Sequence, residues 1–310
     1  MISPGERLQS LGLGFGDTLP LPGSGATAKR HHALMEFGRT DLSLARVAEA
    51  HTDALAILAE ANATPRDCSL YGVWASDGHG SLVRARPEAD GTWRLSGVKQ
   101  YCTGATFVKS ALVTAHHGKD ILLFDVDVAA RGIRVEPSTW ETPALADTAT
   151  GPVSFDDVWV PGSALLGGPD WYLTRAGFWH GAIGPAACWA GGALSLIDAA
   201  TLLNRKDAHS RAHVGALQAS AWMLSAILNE SGREIDADPR DLAGAARVRA
   251  LKVRHLIERQ CTEVLDRFGR ATGPQLLAYD AQVARQHMAL TLYIRQCHAE
   301  RDLETIPDVR

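Results

Sequence analysis

Gly91–Ala105, GTWRLSGVKQYCTGA, is the stretch that decides how this chain is read. Thr92, Trp93 and Leu95 favour extended backbone, and Ser96-Gly97 reads as a tight reversal. Val98–Cys102 then resumes a strand until Thr103-Gly104-Ala105 breaks it. The expectation is a hairpin ending in a shelf of small residues, where a flat ligand can approach backbone amides closely. A strand pair without any ligand satisfies the same letters.

Working outward, an apolar strand runs into a Gly/Ser loop at Leu70–Leu82, LYGVWASDGHGSL. Downstream lie ALVTA (Ala111–Ala115), ILLFDVD (Ile121–Asp127) and GPVSFDDVWVPGSALLG (Gly151–Gly167). Turn residues at Asp77–Gly80, Asp90-Gly91, His117-Gly118 and Arg131-Gly132 space these strands as in a sandwich or barrel. Ahead of them, Met1–Ala28 is rich in Gly, Pro and Ser and reads as irregular. The pattern turns helical from Ala33, with Asp41 as N-cap of Leu42–Ala61 and Asn62–Pro65 as its stop. Beyond Gly168-Pro169 four helices are expected: Ala182–Leu203, His213–Asn229, Asp241–Phe268 and Tyr279–Asp302. Short breaks between them suggest an antiparallel bundle, and the Gly and Ala density of Ala182–Ala193 allows close helix approach. The expected fold is therefore α+β: a short N-terminal helical segment (1–68), a central antiparallel β-barrel or sandwich (69–167) and a C-terminal antiparallel helical bundle (168–310).

The whole chain has 310 residues, 46% hydrophobic and 21% charged, with a net charge of −4. That balance offers no electrostatic footprint for nucleic acid or an anionic membrane. The N-terminal residues lack a basic lead followed by an apolar core, and no uninterrupted apolar run is long enough for a bilayer, so neither a secretory signal nor a membrane span is expected. The five cysteines (Cys68, Cys102, Cys188, Cys261, Cys297) are scattered and read as reduced thiols in a cytoplasmic protein.

In order and spacing the β stretch resembles the middle domain of the acyl-CoA dehydrogenase superfamily. The family pattern there is G-x-x-L-x-G-x-K-x-aromatic-small-Ser/Thr-x-small, followed by V-x-F-x-x-V-x-V-P-x-x-x-x-L-G. The likeness covers about a third of the chain. It implies a flavin, FAD in the first place with FMN open. It lays Tyr71, Val73 and Trp74 along the flavin, Ser81 on the cofactor pyrophosphate, Tyr101 beside the isoalloxazine and Thr103 beside flavin N5. A Ser in a Gly-rich turn suits that role, since it adds a hydroxyl to exposed amides. The resemblance also implies a small acyl or carbonyl-conjugated substrate, a reductase or electron-transfer partner, and a homo-oligomer.

Three departures qualify it. The pattern R-D-x-x-x-x-x-x-x-E-G places a catalytic Glu late in the chain, but the matching run Tyr279–Ala289 keeps Asp280 and has Met288 at the Glu position. A thioether cannot abstract a proton. The earlier site used by some relatives falls on Arg175–Ala182, which has no carboxylate. Where the family has R-x-x-F-G and a later Gln on a neighbouring subunit's cofactor, Arg205 and Gln218 survive and the Phe-Gly is gone; a charged helix end is the plain alternative.

The run Tyr101–Ala105 with His287 also resembles the flavin monooxygenase branch of the superfamily, which makes His287 the acid–base candidate. The leading expectation is a flavin oxidoreductase acting on an acyl substrate. The alternatives are a flavin monooxygenase and a non-catalytic relative. No metal site is expected: His298–Asp302 reads as a charged helix and His116-His117 as a turn. Gly177–Gly181 with Cys188-Trp189 either line a substrate cleft or pack helices.

Overall fold

Asp41 sets the first junction. Its Oδ1 accepts from the N–H groups of Ser43 (2.8 Å) and Leu44 (3.1 Å), capping α2 (Leu42–Glu60) where α1 (Thr27–Thr40) ends. The computed structural model describes Glu6 and residues 19–66, 70–78, 80–136 and 140–306. Most of the Met1–Ala28 stretch read as irregular lies outside the described residues. Within them, α1 starts earlier than the Ala33 expected from the pattern. The reason is a distant cap: the Asp236 carboxylate, 209 residues on, takes the N–H (2.9 Å) and hydroxyl (2.6 Å) of Thr27.

The β stretch folds as β1 (Tyr71–Trp74), β2 (Val83–Pro87), β3 (Trp93–Cys102), β4 (Ser110–His117), β5 (Asp120–Asp127), β6 (Ile133–Val135), β7 (Gly151–Val160) and β8 (Leu165–Leu166). They make one mostly antiparallel sheet in the order β6-β7-β3-β2-β4-β5-β8, with β1 added parallel to β4. Two expectations are corrected. Ser96-Gly97 is not a reversal, because β3 runs straight through it and pairs with Arg84 and Val83. Gly97, at φ +135°, sits in a bulge where a Cβ would lie 2.1 Å from Leu82 O, and the hairpin turns instead at Asp90-Gly91. His116 and His117 belong to β4, paired with Ile121 and Asp120, and not to a turn.

After β8 come α3 (Trp171–Thr174), α4 (Ala176–Gly181), α5 (Gly184–Leu202), α6 (Ala208–Ala237), α7 (Ala246–Thr272), α8 (Gln275–Tyr279), α9 (Ala281–Tyr293) and α10 (Glu300–Glu304). Local caps explain where these depart from the expected bounds. Asp207 Oδ1 accepts from Ser210 N at 2.9 Å and starts α6 early. Asp241, at φ +53°, bends the chain and caps Ala246 at 2.8 Å, so α7 starts late. Asp280 caps Gln282 and Val283, each at 3.0 Å, and splits the last expected helix at its N-terminal end.

Two compact units divide the described residues. One holds residues of Val47–Thr142 and Ala146–Phe178, the other those of Leu19–Arg46, Pro143–Leu145 and Trp179–Arg310. In the first, Ala54, Leu55, Ile57 and Leu58 of α2 pack on Tyr71, Leu112, Leu123, Leu166 and Tyr172. In the second, α1 and α5 meet backbone to backbone. A Cβ on Gly191 would stand 1.9 Å from Met35 O, and one on Gly38 would stand 2.3 Å from Cys188 O. The stretch Ala176–Leu202 is apolar and long enough to cross a membrane by composition, and 72% of its apolar window is buried in the protein.

Candidate functional site

The shelf at the end of β3 is built from two segments distant in sequence. Gly104 N–H donates to Thr148 O (2.9 Å) and Ala105 N–H to Ala149 O (3.2 Å), so these amides are already paired and not open to a ligand. Positive φ at Gly104 (+78°) makes the turn, and a Cβ there would strike Val108 Cγ1 at 2.5 Å. The shelf is backed by a row of hydroxyls, with Thr103 and Thr148 buried: Thr103 Oγ1 lies 3.1 Å from Thr150 Oγ1, which lies 2.8 Å from Thr148 Oγ1. Each hydroxyl can donate and accept, so the row passes hydrogen-bond polarity along its length. Thr148 and Thr150 were missed from the sequence, where nothing marks them as partners of Thr103. Tyr101 stands at the rim, 58% exposed, while Trp74 is buried beneath and donates Nε1–H to Thr103 O at 3.1 Å. That ring position needs Gly72, whose Cβ would lie 2.5 Å from Trp74 Nε1. Val73 is half-buried. Tyr71 points into the apolar core, with its hydroxyl accepting from Arg66 N–H (2.8 Å), and burial pushes its pKa up.

Between β1 and β2 the chain turns through Gly78 and Ser81, with Ser81 N–H on Gly78 O at 3.2 Å. Gly78 is a close approach, since a Cβ there would fall 2.4 Å from Gln100 Cγ and 2.8 Å from Ser81 Oγ. Ser81 Oγ itself is covered and has no hydrogen-bond partner among the described residues. That hydroxyl therefore keeps an unused donor.

The turn is anchored by a buried lysine. Lys99 Nζ donates to Asp77 Oδ1 (2.5 Å), Thr114 Oγ1 (2.8 Å) and Ala75 O (3.3 Å). His116 Nε2 lies 2.7 Å from Asp77 Oδ2. Three acceptors match the three protons of an ammonium group. Burial pushes the Lys99 pKa down, against the pull of Asp77. Burial alone would raise Asp77, yet the hydrogen bonds from Lys99 and His116 hold it below the usual carboxylate range. Lys99 occupies the K of the family pattern, which was the available signal, but its partners were not legible.

The remaining candidates lie in the second unit. Arg205 donates from Nη1 and Nη2 to Ala271 O (3.2 Å) and Thr272 O (3.0 Å), closing the C-terminus of α7. On α9, Gln286 is buried and holds the α1–α2 junction, accepting from Leu42 N–H (2.9 Å) and donating to Gly38 O (3.1 Å). His287 next to it packs on Phe268 with ring centroids 6.2 Å apart, and burial lowers its pKa. Met288 is 40% exposed. Of the aromatic run, Trp179 receives the Arg247 guanidinium over its ring (5.8 Å) and His180 Nε2 lies 3.2 Å from Pro239 O, which is helix packing. His298 pairs with Asp302 (3.2 Å). Cys102, Cys188, Cys261 and Cys297 are buried and form no disulfide, and burial pushes the Cys102 thiol up to about 12, so it stays protonated; Cys68 lies outside the described residues.

No known family model matches the chain, and no curated protein matches it by sequence. Solved structures do match by fold. The dibenzothiophene monooxygenase TdsC from Paenibacillus sp. A11-2 is 17% identical, with TM-score 0.79 over 91% of this chain and 82% of its own. KijD3 in complex with FMN and an amino-keto sugar nucleotide is 17% identical, with TM-score 0.80 over 98% of this chain and 82% of its own. The nitrososynthase from Micromonospora carbonacea var. africana is 20% identical, with TM-score 0.78 over 98% and 87%. The chain has the acyl-CoA dehydrogenase-like fold: N-terminal helices, a central mostly antiparallel sheet and C-terminal helices.

Proposed function

We propose that the protein is a flavin-dependent monooxygenase that takes up FMN reduced by a separate reductase and acts on a small molecule. The observation that carries this reading is the orphaned Ser81 hydroxyl in its glycine turn, on a fold shared with FMN-bound TdsC and KijD3. Ser81 would hold the cofactor phosphate, Tyr101 would flank the isoalloxazine, and Thr103 would meet its polar edge with Thr150 behind it. When bound in reduced form, the flavin supplies two electrons to dioxygen, one oxygen atom going to the substrate and the other leaving as water.

FMN is preferred to the FAD expected from the resemblance. Arg205, which the resemblance sets on a neighbouring subunit's cofactor, donates to the C-terminus of α7 instead. Oxygenation is preferred to acyl-CoA dehydrogenation because Met288 offers no base for the α-proton. His287 serves as the acid–base group. Burial lowers its pKa, which favours the neutral imidazole.

The test supplies reduced FMN and labelled dioxygen with a panel of small molecules that includes indole and dibenzothiophene. Label in a product supports the reading, and His287→Ala should slow its formation by about 10²–10⁴-fold with FMN binding intact. Fast dye-linked oxidation of simple acyl-CoA esters, with no labelled product, would overturn it in favour of dehydrogenation.

A further inference from the structure

We propose that Lys99, Asp77 and His116 are positioning residues that lock the turn carrying Gly78 and Ser81 into the form that receives the flavin phosphate. The proposal rests on the flavin reading above. A turn of glycine and serine has little intrinsic preference for one shape, and ordering it on binding would weaken affinity. Here the ordering is done in advance by a cluster drawn from two strands and the segment that leads into the turn. Lys99 comes from β3, and Thr114 and His116 from β4. Ala75 and Asp77 lie in the segment that leaves β1 toward Gly78.

The arrangement is saturated. Thr114 Oγ1 accepts from Lys99 and donates its own O–H to Ala75 O at 2.8 Å, so the Ala75 carbonyl is held twice. Both oxygens of Asp77 are engaged, one by Lys99 and one by His116. The Lys99 side chain is 1% exposed, whereas that of Asp77 is 35% exposed. The lysine is therefore fixed to the sheet, and the loop carboxylate is the part that it restrains. Gly78, immediately after Asp77, then packs on Gln100, the residue after Lys99. Two adjacent positions of β3 thus grip two adjacent positions of the turn.

The experiment is a double-mutant cycle on the full chain, read as FMN affinity by flavin fluorescence. Lys99→Met and Asp77→Ala should each weaken binding about tenfold or more, as for loss of a hydrogen bond to a charged group. The double variant should bind no more weakly than the worse single variant, because both remove one restraint. Asp77→Asn keeps an acceptor for Lys99 and should recover most of the affinity, which a mere loss of fold would not allow. Asp77 is exposed enough for its two variants to fold even if Lys99→Met does not. Additive losses would overturn the proposal, since they would make the Lys99 charge act on the flavin by itself. Variants that bind as tightly as a flavin-binding parent would overturn it alone. A parent that binds no flavin would overturn the flavin reading and this proposal with it.

Discussion

Ser81→Ala should move stability and flavin binding in opposite directions. In the free protein the Ser81 hydroxyl is covered and has no partner among the described residues. An unsatisfied buried polar group costs about 1–3 kcal/mol, so its removal should raise stability by roughly 1 kcal/mol after some allowance for relaxation. The substitution removes only the hydroxyl and leaves the Cβ in place. In the complex the same hydroxyl donates to an anionic phosphate, a charge-assisted bond worth about 1.5–3 kcal/mol. Its loss corresponds to a Kd about 10- to 150-fold weaker. Urea unfolding of the free protein gives the first quantity, and an FMN titration gives the second. FMN should also raise Tm less in the variant than in the parent. A variant that is less stable when free and binds FMN as well as the parent would refute the reasoning, because Ser81 would then be a structural residue of the turn.

Other outcomes follow from particular contacts. His31 is buried, donates Nδ1–H to Leu228 O at 3.0 Å, and has its pKa lowered to about 4, chiefly by burial. The unfolded chain therefore takes up a proton that the folded one refuses as pH falls from about 6.5 to about 4, and stability should drop by roughly 3 kcal/mol over that window. Unfolding curves of His31→Gln should be flatter there, and an unchanged pH dependence would contradict the assignment. Gly191→Ala puts a Cβ 1.9 Å from Met35 O and should cost about 1–3 kcal/mol, whereas Gly215→Ala, with nothing within 4 Å, should be neutral or stabilising in thermal melts. Leu202, Trp222, Leu242 and Tyr279 are each at least 75% exposed in the helical unit, so we expect a homo-oligomer; sedimentation showing only monomer at working concentrations would refute that.

How much of this was legible follows from how local each determinant is. Asp41 was read correctly as a cap because its partners, Ser43 and Leu44, lie two and three residues on. The small-residue face of α5 was equally plain, since Gly191 and Gly192 announce close approach whatever the partner. Ser96-Gly97 was misread because a glycine with positive φ serves a turn and a bulge alike, and what decides is the Leu82 carbonyl just before β2. The start of α1 depends on Asp236 and the end of α7 on Arg205, 66 and 67 residues from its acceptors, and no local pattern reports either. At the candidate site, the order of Trp74, Ser81, Tyr101 and Thr103 was visible. The Lys99 cluster and the Thr148–Thr150 hydroxyls were not, because each joins segments distant in sequence.

Whether the β-sheet unit receives a flavin is decided by equilibrium titration of the purified chain with FMN, oxidised and then reduced without oxygen. The expected result is saturable binding of a single FMN per chain, tighter for the reduced form and weakened by Ser81→Ala and by Asp77→Ala. Absence of binding by FMN and FAD in either redox state, from protein that melts cooperatively, would contradict it.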